Sequence, residues 1–111
     1  MKRYRVRIID DAEQDLIDLY DYIAAHDSVE SAGYVLGELE TLCSSLSELP
    51  ERGHLPPELE RIGVSEYREV HFKPYRVLYQ VAGTEVLVHC VIDGRRDVQT
   101  LLERRLVRAL R

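Results

Sequence analysis

The sequence predicts a two-layer α+β fold, a helical hairpin packed on an antiparallel sheet in the order β-α-α-β-β-β-α. Two apolar stripes at helical spacing lie in succession between residues 10 and 49. Three β-rich runs separated by short turns follow between residues 66 and 92. Neither group can bury its apolar face alone, so a helical pair laid on one face of a meander is the compact solution. At 111 residues the chain has the length of one domain. Residues 1–111 are read as a single domain without repeats or linkers.

Tyr4–Ile9 alternates well enough to predict a strand with one basic face. Asp10 or Asp11 is positioned to cap the first helix, with Glu13 completing a capping box behind Asp10. Ala12, Leu16, Leu19, Tyr20 and Ile23 form its apolar stripe. Asp27 with Glu30 predicts a second cap, and Ala32, Val35, Leu36, Leu39, Leu42, Cys43, Leu46 and Leu49 a second stripe that Pro50 stops. The link at His26–Ser28 is short enough to make these helices an antiparallel pair. Gly33 and Gly37 stand four apart on the second helix, a spacing that usually admits a close helical neighbour. The glycines and prolines of Glu51–Val64 predict a loop. Glu66–Phe72, Tyr75–Val81 and Glu85–Ile92 read as the meander, and a last helix begins near Asp97. That helix sets Val98, Leu101, Leu102, Leu106 and Leu110 against Arg104, Arg105, Arg108 and Arg111.

Composition narrows the function classes. MKRYRVRIIDDAEQ at the start has no apolar signal core, and no apolar run approaches the ~18 residues of a membrane span. The expectation is a cytoplasmic protein with no membrane partner. Cys43 and Cys90 lie in apolar surroundings and read as reduced core residues. His26, His54, His71 and His89 are scattered without ligand spacing, so neither metal nor cofactor is expected. The net charge of −5 divides into +4 over residues 1–9, −13 over 10–60 and +4 over 61–111. A uniformly basic chain would point to nucleic acid, and this one is not; an acidic middle with basic ends suits charge-selected protein partners at least as well.

Chemistry concentrates in the meander. Alternation puts Val77, Tyr79 and Val81 on one face, and Arg76, Leu78 and Gln80 on the other. If Val81 pairs with Val86, His89 joins the Arg76 face and Cys90 the core face. A tight turn at Lys73-Pro74 adds His71 and Glu69 to the Arg76 face, whereas a bulge there brings Arg68 instead. An Arg–His–Glu group suits phosphodiester cleavage, supplying a base, a cation and an acid. The plainer reading, favoured on spacing alone, is a solvated face with charges paired across strands. Arg95, Arg96 and the arginines of the last helix divide equally between a solvated face and a partner surface.

The element order resembles the RelE/ParE toxin superfamily. So do Asp11-Ala12-Glu13-Gln14-Asp15-Leu16, PYRVLYQV at 74–81, Pro56-Pro57-Glu58-Leu59 leading to Tyr67-Arg68-Glu69, and Gly94-Arg95-Arg96-Asp97. The resemblance covers essentially the whole chain. It implies the toxin of a bacterial type II toxin–antitoxin pair, held in a hetero-oligomer by a small cognate antitoxin. RelE-like members are ribosome-dependent mRNA endonucleases; ParE-like members block DNA gyrase. In the nuclease reading the working group is Arg68, His71, Arg76, His89, Arg95 and Arg96. The family's C-terminal tyrosine, however, falls on Leu101 or Leu102, and a second strand-two base falls near Val70. These departures and the net charge favour a ParE-like toxin, with no firm catalytic residue. Arg68, Arg76, Arg95, Arg96, Arg104, Arg105 and Arg108 are then the expected antitoxin or target contacts. The resemblance further implies that the antitoxin docks a helix and an added strand over the hairpin and an open sheet face.

Overall fold

A computed structural model describes residues 3–107 of the chain. Strand β1 (Arg5–Ile8) leads into α1 (Asp10–His26) and α2 (Val29–Ser45). A short turn of helix, α3 (Pro57–Glu60), interrupts the connection to β2 (Arg68–Phe72), β3 (Tyr75–Ala82) and β4 (Glu85–Asp93). Helix α4 (Val98–Leu102) continues into a π-helical turn over Glu103–Val107. The expected α+β architecture and element order are present, and none of the described helices is long and apolar enough to cross a membrane.

The caps differ by a residue from those expected. Ile9 precedes α1 without a side-chain cap, so Asp10, Asp11 and Glu13 all fall inside the first turn, where they complement the helix dipole. Ser28, not Asp27, caps α2 by accepting a hydrogen bond from the Ser31 amide. An added Cβ at Gly33 or Gly37 would meet no neighbour. The two glycines therefore lie on the outer face of α2, not at the α1–α2 contact.

The sheet order is β1-β4-β3-β2. The three later strands form the expected antiparallel meander, while β1 joins β4 in parallel, the return from β1 running through the hairpin. Val81 does pair with Val86, but the register slips between Leu78 and Tyr79. Tyr79 faces Val88 and Leu78 faces Cys90, leaving His89 as the extra residue of a bulge. The bulge reverses the parity of β4 beyond Val88. Cys90 consequently leaves the hairpin face and packs beside Leu78, contrary to the core-face position expected without a bulge.

Two apolar clusters result. The larger lies under the hairpin and includes Ala12, Leu16, Leu39, Cys43, Val77, Tyr79 and Val88. The second covers the opposite face with Leu59, Tyr67, Leu78, Cys90, Val98 and Leu102. That face is therefore not open: residues 56–67 and α4 occupy it. Both cysteines are free and buried, and burial pushes the Cys43 thiol up to about 11 and the Cys90 thiol up to about 12. They stay protonated and inert at neutral pH.

One long-range bond joins the loop to the larger core. The hydroxyl of Tyr79, a residue with no exposed surface, accepts a hydrogen bond from the Gly53 amide at 3.0 Å. An added Cβ at Gly53 would lie 2.6 Å from the Glu69 carbonyl oxygen, so only glycine fits there. Tyr79→Phe should cost about 1–3 kcal/mol by stranding that amide, and urea unfolding of the two proteins measures it.

Candidate functional site

Arg76 is the centre of the most highly connected polar group. The two-residue turn at Lys73-Pro74 pairs His71 with Arg76 and Glu69 with Leu78, which places Glu69, His71 and Arg76 on one face as expected. Arg76 Nε donates to Glu69 Oε1 at 2.6 Å and one of its terminal nitrogens to Glu69 Oε2 at 2.9 Å. The guanidinium also spans Glu58 of α3, at 2.7 and 2.9 Å. One cation thus holds two carboxylates in charge-assisted, paired geometry. The Glu69 side chain is 1% exposed and the Arg76 side chain 12%. Its hydrogen bonds from Arg76 hold the Glu58 carboxyl below its ordinary range, and those from Glu58 hold Arg76 protonated.

The other expected residues are dispersed. Arg68 lies apart from the cluster and donates to the backbone carbonyls of Glu51 and Gly53. His71 Nε2 lies 2.9 Å from Glu69 Oε1. His89, in the bulge, faces Gln80 at 3.3 Å and the edge of Tyr67. Burial first, and then the positive Arg105, lower its proton affinity. Arg95 is exposed and wraps Asp93, whose carboxyl it holds below the usual range. Arg96 and Arg104 are exposed. Arg105 is committed within the protein: it grips Asp15 of α1 at 3.1 and 3.2 Å and donates to the His89 carbonyl at 3.0 Å. Arg108 lies outside the described residues. Leu102 is fully buried and Leu101 partly so, and neither can transfer a proton.

Three participants were not singled out from the sequence. Glu58 came only as part of a tetrapeptide pattern, because its partner lies 18 positions away. His54 enters through an isolated antiparallel bridge with Glu69. Asp15, which lies outside the apolar stripe of α1, accepts the Val91 amide at 3.0 Å where β4 runs beyond the end of β1. No local spacing signals any of these.

The hairpin carries the main surface concavities. A cleft of ≈ 470 Å³ opens between the end of α1 and the start of α2, beside Tyr22, His26, Asp27, Glu30 and Tyr34. A second, of ≈ 460 Å³, runs from Asp15, Asp18 and Tyr22 to Arg95 and Arg96. Tyr22 and Tyr34, which line the first cleft, are each 62% exposed.

Residues 6–98 match the family model described as ParE toxin of type II toxin–antitoxin system, parDE. No curated protein sequence matches the chain at a significant level. Among solved structures, a chain of a chromosomal ParDE toxin–antitoxin system from P. aeruginosa superposes with a TM-score of 0.70 at 17% identity, covering 84% of this chain and 98% of that one. A chain of the toxin–antitoxin complex RelBE2 from Mycobacterium tuberculosis gives 0.63 at 23% identity, covering 84% and 93%. At these identities the two structures speak for the fold.

Arg76→Ala should lower stability by about 3–5 kcal/mol, because it strands a buried carboxylate. Glu69→Gln, which leaves Arg76 its Glu58 partner, should cost less; urea unfolding of both variants tests the order. His89 works through protons. Its folded form binds a proton less readily than the unfolded chain, whose imidazole titrates near 6.5. Its contribution is therefore present above that pH and is lost as the pH falls from the unfolded to the folded value. Between about pH 7.5 and 5 the wild type should lose more stability than His89→Gln.

Proposed function

The chain belongs to the family of ParE toxins of type II toxin–antitoxin systems, and from that premise we propose that it arrests growth by binding a protein, DNA gyrase, rather than by cutting RNA. The state of Arg76 carries this reading. An endonuclease of this fold needs a cation facing the scissile phosphate to stabilise the charge that develops there. Here the matching arginine is nearly buried and already divided between two carboxylates. Exposing it to a phosphate would strand Glu69, at a cost of several kcal/mol.

Electrostatics supports the same choice. Residues 10–60 carry −13, and most of these acids line the hairpin. Such a surface is repelled within a Debye length of the phosphates of a ribosome. Arg95 and Arg96, which follow β4, are exposed and line one cleft, where they suit an acidic protein surface.

The cognate antitoxin binds directly and forms a hetero-oligomer with the toxin. The hairpin is the surface it covers, through an amphipathic helix whose apolar anchors meet Tyr22 and Tyr34 and whose basic flanks meet Asp18, Asp27 and Glu30. The Arg76 guanidinium, held between Glu58 and Glu69, is not among the contacts proposed for it.

Brief induction without antitoxin, followed by labelled thymidine and methionine incorporation, separates the two activities. DNA synthesis should stop first, with induction of the DNA-damage response, and purified protein should inhibit gyrase supercoiling. Arg96→Glu should weaken that inhibition at unchanged stability. Early arrest of translation with cleaved mRNA would establish the RelE-like activity instead.

A further inference from the structure

Beside the Arg76–Glu58 pair, one group of side chains among the described residues has the chemistry of a metal-ligand set. His54 and Glu69 face each other across an antiparallel bridge closed by two backbone hydrogen bonds, at 2.8 and 3.2 Å. His71 lies two residues beyond Glu69 on the same strand face. Backbone pairing therefore brings the three residues to one place on the sheet. His71 Nε2 lies 2.9 Å from Glu69 Oε1, and His54 Nε2 lies 3.4 Å from Glu69 Oε2. All the donor atoms lie within 4.8 Å of one another.

We infer that His54, Glu69 and His71 form a binding site for a divalent first-row transition ion such as Zn2+, seated where residues 51–56 cross β2. Two imidazoles and one carboxylate select Zn2+, Cu2+ or Ni2+ over Mg2+ and Ca2+, which prefer all-oxygen sets. A tetrahedral ion with bonds of about 2.0–2.1 Å holds its donors roughly 3.3 Å apart; the two His–Glu69 contacts lie at 2.9 and 3.4 Å, on different carboxylate oxygens, and the whole set within 4.8 Å. Any remaining adjustment falls to His54, whose side chain is 60% exposed and free to swing. Glu69 is fixed from behind by Arg76, a hydrogen-bonded outer partner of the kind that orients metal-bound carboxylates. Charge is also compatible: Glu58 and Glu69 against Arg76 leave one negative charge for the cation. Solvent reaches the histidine side, which leaves a fourth position for water. The other two histidines are differently engaged, His26 Nδ1 with the Tyr22 carbonyl and His89 with Gln80.

The experiment uses the untagged full chain, stripped with chelator. Calorimetric titration with ZnCl2 at neutral pH should show one equivalent bound, and thermal melting should shift upward with Zn2+ but not with Mg2+. Co2+ should give visible bands of a low-coordinate N/O site. His54→Gln and His71→Gln should each weaken Zn2+ binding by at least 10–100-fold, the size of an outer-partner loss alone. His26→Gln should leave it unchanged. His54 is exposed, so its variant keeps the test valid even if His71→Gln folds poorly. Absence of stoichiometric Zn2+ binding, or wild-type affinity in His54→Gln, would overturn the site.

Discussion

The guanidinium of Arg76 is the constraint around which the second face of the sheet is organised. It joins β3 to β2 through Glu69 and β3 to α3 through Glu58. The connection between the hairpin and the meander would otherwise be a solvated loop. Held at Glu58, it sets Leu59 beneath α4 and closes the apolar cluster with Leu78, Cys90 and Leu102. Because Glu69 is buried, the arrangement is of little net benefit compared with an apolar packing. What it supplies is position: α3 can sit in one place only. The same commitment leaves the guanidinium little surface for any other ligand.

Much of this was legible in the sequence. Periodicity located the hairpin and the meander because each stripe must face a core. The short Lys73-Pro74 turn sufficed to align Glu69, His71 and Arg76. The bulge was not legible. Nothing in Val88-His89-Cys90 distinguishes a regular strand from one with an extra residue, and that residue decides which layer receives Cys90. The closure of the second face was hidden for a related reason. Val98, Leu102 and Leu106 announce an apolar helix side, but not the surface it meets. Likewise Glu58, His54 and Asp15 acquire their roles from partners far along the chain, and long-range pairing leaves no local trace.

Charge was read correctly in amount and only partly in disposition. The acidic middle does line the hairpin, while several of the basic residues that might have formed one patch are consumed internally. Arg76 and Arg105 each neutralise carboxylates from another segment, and Arg68 caps backbone carbonyls. The basic part of the surface left to a partner is therefore smaller than the linear pattern suggested.

The grip of Arg105 on Asp15 has a further consequence, for colloidal behaviour. A short four-stranded sheet with exposed edges is prone to pair with copies of itself. Beyond Val88 the edge of β4 has no strand beside it, but the Val91 amide is taken by Asp15 and the His89 carbonyl by Arg105. At the far side, His54 bridges to Glu69 and occupies part of the β2 edge. The outer side of β1 carries exposed Arg5 and Arg7. Each margin is thus blunted by a charged or bridging residue, which disfavours edge-to-edge pairing with a second copy.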